Sequence, residues 1–167
     1  KKEDAQLFPD QTYASTWCGK SGKENICLHY FGAGHTNGDS IVHFQNSNII
    51  HLGDLVFNRR HPYIDKTSGA DISSWIKVLD KTIKTFDKKT QYICGHSGNG
   101  YETILKEDDL KAFAEYLENL LNVVGKEIKA GKTQTEILQL KEIPGSPEWK
   151  GEGIERPLKA AFQELST

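Results

Sequence analysis

The spacing of apolar residues changes near the middle of this 167-residue chain, and that change limits what it can fold into. Up to about Phe57 the local signals are those of strands. Beyond Ala70 apolar residues recur every third or fourth position, as they do on one face of a helix. The order predicts an α/β domain in which a sheet is laid down first and helices then pack on it.

Residues 11–17 and 26–31 are rich in Thr, Tyr, Ile and Trp, and Gly19-Lys20-Ser21-Gly22 between them reads as a hairpin turn. Residues 40–45 and 48–52 form a second predicted strand pair around Asn46-Ser47-Asn48. Asp71 is a plausible N-cap, and Ile72, Trp75, Ile76, Leu79 and Ile83 give one buried stripe on a helix ending near Phe86. Tyr92-Ile93-Cys94 reads as a short buried strand stopping at Gly95. The clearest helix runs from about Lys106 to Ile128, with Leu110, Phe113, Leu117, Leu121 and Val124 on one face. Thr133 and Glu136 fit a capping box opening a shorter helix, and a last helix spans about 157–165 with Pro157 in its first turn. The reading is one domain, with a strand-rich part over 1–105 and C-terminal helices over 106–167.

Composition removes several function classes. Twenty-one basic residues meet 23 acidic ones for a formal net charge of −2, so the chain has no electrostatic footprint for a nucleic-acid backbone. No apolar run approaches the roughly 18 residues of a membrane span. Three cysteines, Cys18, Cys27 and Cys94, lack CxxC spacing; a Cys18–Cys27 bridge is compatible with the sequence but not required by it. Lys20-Ser21-Gly22-Lys23 lacks the spacing of a phosphate loop. The chain contains no methionine and opens Lys1-Lys2-Glu3-Asp4, so it is expected to be a piece of a longer polypeptide.

Three glycine-flanked stretches carry candidate chemistry: Gly34-His35-Thr36-Asn37-Gly38-Asp39, Gly53-Asp54-Leu55-Val56-Phe57, and Gly95-His96-Ser97-Gly98. Each is expected to place one metal-competent side chain (His35, Asp54 or His96) at the end of a strand, where a rigid sheet can aim it. Two histidines and an aspartate spread over some sixty residues are by themselves more often structural than ligating. Their order and context reverse that preference. They resemble the metallo-β-lactamase superfamily, whose GHTxG, GD and GH steps are matched by Gly34–Gly38, Gly53-Asp54 and Gly95-His96. The stretch from Gly53 through Asp65 is similar to the loop that follows the bridging aspartate in a less characterised hydrolase branch.

The resemblance implies the C-terminal half of an αββα sandwich with a helical extension. It implies a site for two zinc ions in the intact protein, with Asp54 bridging, His35 on one ion and His96 on the other, acting on water to cleave an ester, thioester, lactone or related bond in a small-molecule substrate. Thr36 and Asp39 would support the His35 loop, and Asn58 and His61 would line the substrate mouth with Arg59 and Arg60. Aspartate at position 54 resembles the broad hydrolase branches, not the class with cysteine there, so antibiotic hydrolysis is not the expectation. The family's HxHxDH motif is absent from these 167 residues. This chain alone is therefore expected to bind zinc only partly or not at all, and to be inactive. A missing N-terminal half or an oligomer would complete the sandwich. The alternative is a metal-free binding or scaffolding module that keeps the half-fold. His51 is expected on the opposite face from Asp54, with His29 and His43 as ordinary strand residues and Cys94 in the core.

Overall fold

The computed structural model describes residues 11–166; Lys1 to Asp4, singled out above, lie outside that range. The elements in chain order are β1 (Thr16–Ser21), β2 (Glu24–His29), β3 (Ile41–Phe44), β4 (Ile49–Asn58), α1 (Ile72–Thr85), β5 (Gln91–Ser97), β6 (Ile104–Leu105), α2 (Glu107–Lys129), α3 (Gln134–Ile137) and α4 (Glu155–Leu165). The strands form one six-stranded sheet in the order β1-β2-β3-β4-β5-β6. Four of its pairings are antiparallel, and β4 runs parallel to β5, with α1 as the crossover.

The first hairpin differs from expectation. Its turn is Gly22-Lys23, with Ser21 paired to Glu24, so Gly19 to Ser21 belong to β1. Only Gly22 has the positive φ, 61°, that a two-residue hairpin needs. Cys18 and Cys27 face each other across this hairpin and form a disulfide. Residues 11–15 precede β1, and β6 is an element that the sequence pattern did not announce.

Cross-strand partners share a face of the sheet. Cys27, His43, Ile50, Tyr92 and Leu105 align on the face that receives the helices. There Ile50, Tyr92 and Leu105 join Trp75 and Leu79 of α1 and Leu110, Phe113, Leu117 and Leu120 of α2 in one core. Most of the expected helical stripes are thus core, whereas Ile76, Ile83 and Leu121 are only partly buried against it. The other face carries a second row, Trp17, Leu28, Val42, His51, Ile93 and Ile104, one residue from each strand. Trp17 and Ile104 on it are 40% and 61% exposed. His51 lies on that face.

Helix α1 starts where it does because two carboxylates satisfy its free amides. Asp71 Oδ1 accepts from Ser74 N–H at 2.6 Å. Glu164 of α4 accepts from Ile72 N–H at 2.9 Å and Ser73 N–H at 3.0 Å, fastening the last helix to the first. Inside α1, the Trp75 indole donates to the Leu55 carbonyl at 3.0 Å, which fixes the helix against the strand that carries the candidate site.

Candidate metal centre

The three candidate side chains converge at one end of the β4–β5 pair. Asp54 and His96 lie within strands, not beyond their ends as the sequence suggested, and the pairing there is irregular. The register between β4 and β5 shifts between His51 and Gly53 and again between Gly53 and Phe57. Gly53 has φ 51°, a conformation with little cost only for glycine, and this turn lets Asp54 emerge from an otherwise buried run. Its side chain is 40% exposed, whereas Leu52, Leu55, Val56 and Phe57 are buried.

His35 sits on the loop between β2 and β3. Thr36 N–H and Oγ1–H donate to the Asp39 carboxylate at 2.9 and 3.0 Å, and Gly38 N–H donates to Thr36 Oγ1 at 3.1 Å. These bonds fold the loop upon itself beside His35. The Asp71 N–H then bonds to the Gly34 carbonyl at 3.2 Å, joining the loop to the start of α1. Aromatic rings form the floor: His96 stacks on Phe57 at 4.8 Å between centroids, and His35 lies 5.9 Å from both Phe57 and Trp75.

The carboxylate of Asp54 lies between the two imidazoles. Its Oδ2 is 3.6 Å from His35 Nε2, and its Oδ1 is 3.4 Å from His96 Nε2. His35 Nδ1 is 2.8 Å from the Tyr63 carbonyl oxygen, which can only accept, so Nδ1 carries the proton. In neutral His35 the Nε2 lone pair therefore faces a carboxylate oxygen. Two acceptors turned toward one another require a cation or a proton between them, and imidazole with carboxylate is a donor set suited to zinc. The set is divided, since each imidazole addresses a different oxygen of Asp54. Among the described residues no group of three or more His, Cys, Asp or Glu side chains converges on a single ion position.

Gly95 permits the close approach of the two strands. A Cβ there would lie 2.3 Å from Asp54 Oδ1 and 3.0 Å from the carbonyl carbon and oxygen of Gly53. Cys94 is buried and donates to the His96 carbonyl at 3.2 Å, and burial pushes its thiol pKa up, so it serves packing.

Asn58 and His61 are placed differently from the expectation that they line a mouth: they are 4% and 8% exposed. Asn58 Nδ2 donates to the Glu102 carbonyl at 2.8 Å, and His61 Nδ1 is 3.0 Å from the Tyr116 hydroxyl. Both side chains tie the loop to the core, and burial holds the His61 imidazole below its ordinary pKa.

The residue of that loop with the richest surroundings is Arg59. It adopts φ 52°, unusual for a residue with a side chain, and directs its guanidinium inward. Nη1–H donates to Asn58 Oδ1 at 3.0 Å and to Asp109 Oδ1 at 3.1 Å, and Nε–H donates to Glu148 Oε2 at 3.2 Å. The rings of Tyr101 and Trp149 lie 5.7 and 5.1 Å from the guanidinium carbon. Sequence reading could mark Arg59 only as a neighbour of Asp54, because Asp109 and Glu148 lie 50 and 89 positions along the chain. Beside this cluster a cleft of about 760 Å³ opens between the exits of β4 and β5 and the segment 147–152.

No family model matches the chain. The metallo-beta-lactamase type 2 of Bacteroides fragilis is 29% identical over 91 residues, which cover 54% of this chain and 36% of that protein. The solved metallo-beta-lactamase from Pontibacter korlensis superposes with TM-score 0.57 at 21% identity, over 70% of this chain and 52% of that one. The stereoselective inverting sec-alkylsulfatase Pisa1 from Pseudomonas sp. superposes with TM-score 0.70 at 14% identity, over 91% of this chain and 26% of that one. The chain thus spans about a third of the curated relative and about half or less of the solved structures it matches.

Proposed function

We propose, from the premise that the chain carries part of the metallo-β-lactamase fold to which its neighbours in sequence and structure point, that it contributes His35, Asp54 and His96 to the centre of a metal-dependent hydrolase. The observation that carries the reading is the Asp54 carboxylate, with one oxygen toward each imidazole at 3.6 and 3.4 Å. That geometry suits a carboxylate shared by two divalent ions better than one ion held by all three groups. When bound, zinc supplies Lewis acidity and brings the pKa of water toward neutrality.

The chain's own residues prepare the site for such ions. The Tyr63 carbonyl holds the His35 proton on Nδ1, leaving Nε2 as a ligand, and the Thr36–Asp39 bonds fix the loop from which His35 projects. Phe57 under His96 limits that ring's rotation and excludes water from its buried side. Further ligands are needed to close either site, and we assign them to residues outside these 167. The substrate would be a small molecule with an ester, thioester, lactone or related bond.

Zinc titration of this chain, followed by the imidazole resonances of His35 and His96, tests the reading. Weak shifts of both rings are expected at high zinc, because each imidazole keeps the Asp54 carboxylate as a second donor, and Asp54→Asn abolishes them; rings that stay unmoved even at millimolar zinc overturn the metal assignment. Zinc-dependent turnover of a generic ester by this chain, lost in His35→Ala, would overturn the claim that ligands from elsewhere are needed. The alternative is a metal-free binding module that keeps the half-fold. A zinc-silent spectrum would decide for it.

A further inference from the structure

The cleft beside the Arg59 cluster has a charge arrangement that points to a ligand class. Its walls include Arg59, Arg60, Glu148, Lys150 and Glu152, with Ser97 and Asn99 on the β5 side. It belongs to the same end of the sheet as the candidate metal centre: Ser97 directly follows His96, and Arg59 and Arg60 continue from the strand that carries Asp54.

These charges are not equivalent. Arg59 is committed to Asp109 and Glu148 and sandwiched by two aromatic rings, and its side chain is only 13% exposed. Arg60 and Lys150 are exposed and have no carboxylate partner among the described residues. Ser97 and Asn99 add hydroxyl and amide donors that likewise have no side-chain partner among the described residues. Two uncommitted cations and two neutral donors lining one concavity suit an oxyanion, which accepts several hydrogen bonds and matches the planar fork of arginine. The lining carboxylates Glu152 and Glu148 oppose this, Glu148 less so because it is paired with Arg59.

The backbone makes the wall rigid. Gly98 N–H donates to the Asn58 carbonyl at 2.8 Å, and a Cβ on Gly98 would lie 2.4 Å from the Arg59 carbonyl oxygen. The left-handed Arg59 and the glycine opposite it are therefore a matched pair, and Arg60 is presented from a fixed position. A non-glycine residue held at such a φ is strained, and the guanidinium's contacts offset that strain.

We propose that this cleft is a subsite for a negatively charged oxyanion group of the substrate, carboxylate, sulfate or phosphate, bound by Arg60 and Lys150. As a substrate subsite it rests on the hydrolase reading, which places the bond to be cleaved at Asp54 and the two histidines. The anion contact itself needs no metal.

The test is a titration of the metal-free 167-residue chain with inorganic phosphate, sodium sulfate and sodium acetate, each against chloride at equal ionic strength, followed by amide and guanidinium NMR shifts. Saturable shifts at Arg60, Ser97, Asn99 and Gly151 are expected, and the three arms rank the oxyanions. The exposed double variant Arg60→Gln/Lys150→Gln is expected to weaken binding at least fivefold with the remaining spectrum unchanged, and Glu152→Gln to tighten it about twofold. Equal response at Lys88 and Lys89 on the far side of the fold, or affinity untouched in the double variant, would overturn the subsite. A zinc titration run separately reports on His35 and His96. Failure there removes the hydrolase reading while leaving the anion site standing, and failure of phosphate removes only the subsite.

Discussion

Replacing Gly95 with alanine isolates the geometry of the candidate metal centre, because it replaces none of the proposed ligands. The added Cβ would sit 2.3 Å from Asp54 Oδ1, whereas carbon and oxygen in contact without a strong bond lie ~3.3 Å apart, so the carboxylate must retreat by ~1 Å. Moving the strand instead is blocked by the Gly53 carbonyl group, already 3.0 Å from the new atom. Overpacking of this kind costs about 1–3 kcal/mol of stability in the metal-free chain. The effect on metal is separate. A displaced carboxylate no longer meets the imidazoles now 3.4 and 3.6 Å away, a loss on the scale of supporting-residue mutations, 10–100-fold in affinity. At saturating zinc that is about 1.4–2.7 kcal/mol of stabilisation forgone. For a chain of this size it makes the zinc-dependent rise in Tm roughly 3–11 °C smaller than in the unchanged protein. Calorimetry with and without zinc on both proteins gives the two effects independently. An alanine variant whose Tm rises with zinc as far as the parent's would refute the reasoning, since the carboxylate would then not be where metal binds.

Three further outcomes follow from the fold. Reducing the Cys18–Cys27 disulfide, which spans 9 positions, should lower stability by about 2–3 kcal/mol on loop entropy, read as a shift in urea midpoint that Cys18→Ser/Cys27→Ser reproduces without reductant. Arg59→Ala removes the contacts to Asp109, Glu148, Tyr101 and Trp149; it should cost about 1–3 kcal/mol in urea denaturation and speed amide exchange over 147–152, and unchanged exchange there would refute the anchoring role. Burial pulls His29, His43 and His61 below their ordinary pKa, with the neighbouring charge of the other histidine adding to the effect at His29. The folded state then resists protons that the unfolded chain accepts, so stability is full above about pH 6.5 and falls as the pH drops below it. His29→Phe should flatten that fall, because His29 Nε2 is buried without a hydrogen-bond partner among the described residues and the ring already packs against Phe31 and Phe86.

What could be read from the sequence followed the range of the forces involved. The stripe Ile72, Trp75 and Leu79 and the face Leu110, Phe113 and Leu117 were legible because helical periodicity is a local pattern that burial enforces. His35, Asp54 and His96 were singled out through the resemblance of their glycine-flanked steps, and two of those glycines have a physical reason in the fold: Gly53 for its turn, Gly95 for the close approach to Asp54. The first turn was misplaced because Gly19 and Gly22 look alike in sequence, and only the pairing of Ser21 with Glu24 selects Gly22. Asn58 and His61 follow Asp54 closely in sequence, which suggests a mouth; their partners, Glu102 and Tyr116, lie 44 and 55 positions away and leave no local signature. The Arg59 cluster was illegible for the same reason.

The order of the strands in the sheet also sets the order in which the molecule can assemble. β1 to β4 join by antiparallel pairings between consecutive strands, and β5 takes β6 in the same way, all contacts that close short loops. The parallel pairing of β4 with β5 is different, because α1 must form and cross the sheet before it can be made. It is also the pairing that carries Asp54 to His96. The two strand-borne members of the candidate site are thus brought together by the slowest step that this topology contains. In pulse-labelling hydrogen exchange during refolding, amides of the β1–β2 hairpin should be protected first and those around Gly95 and His96 last.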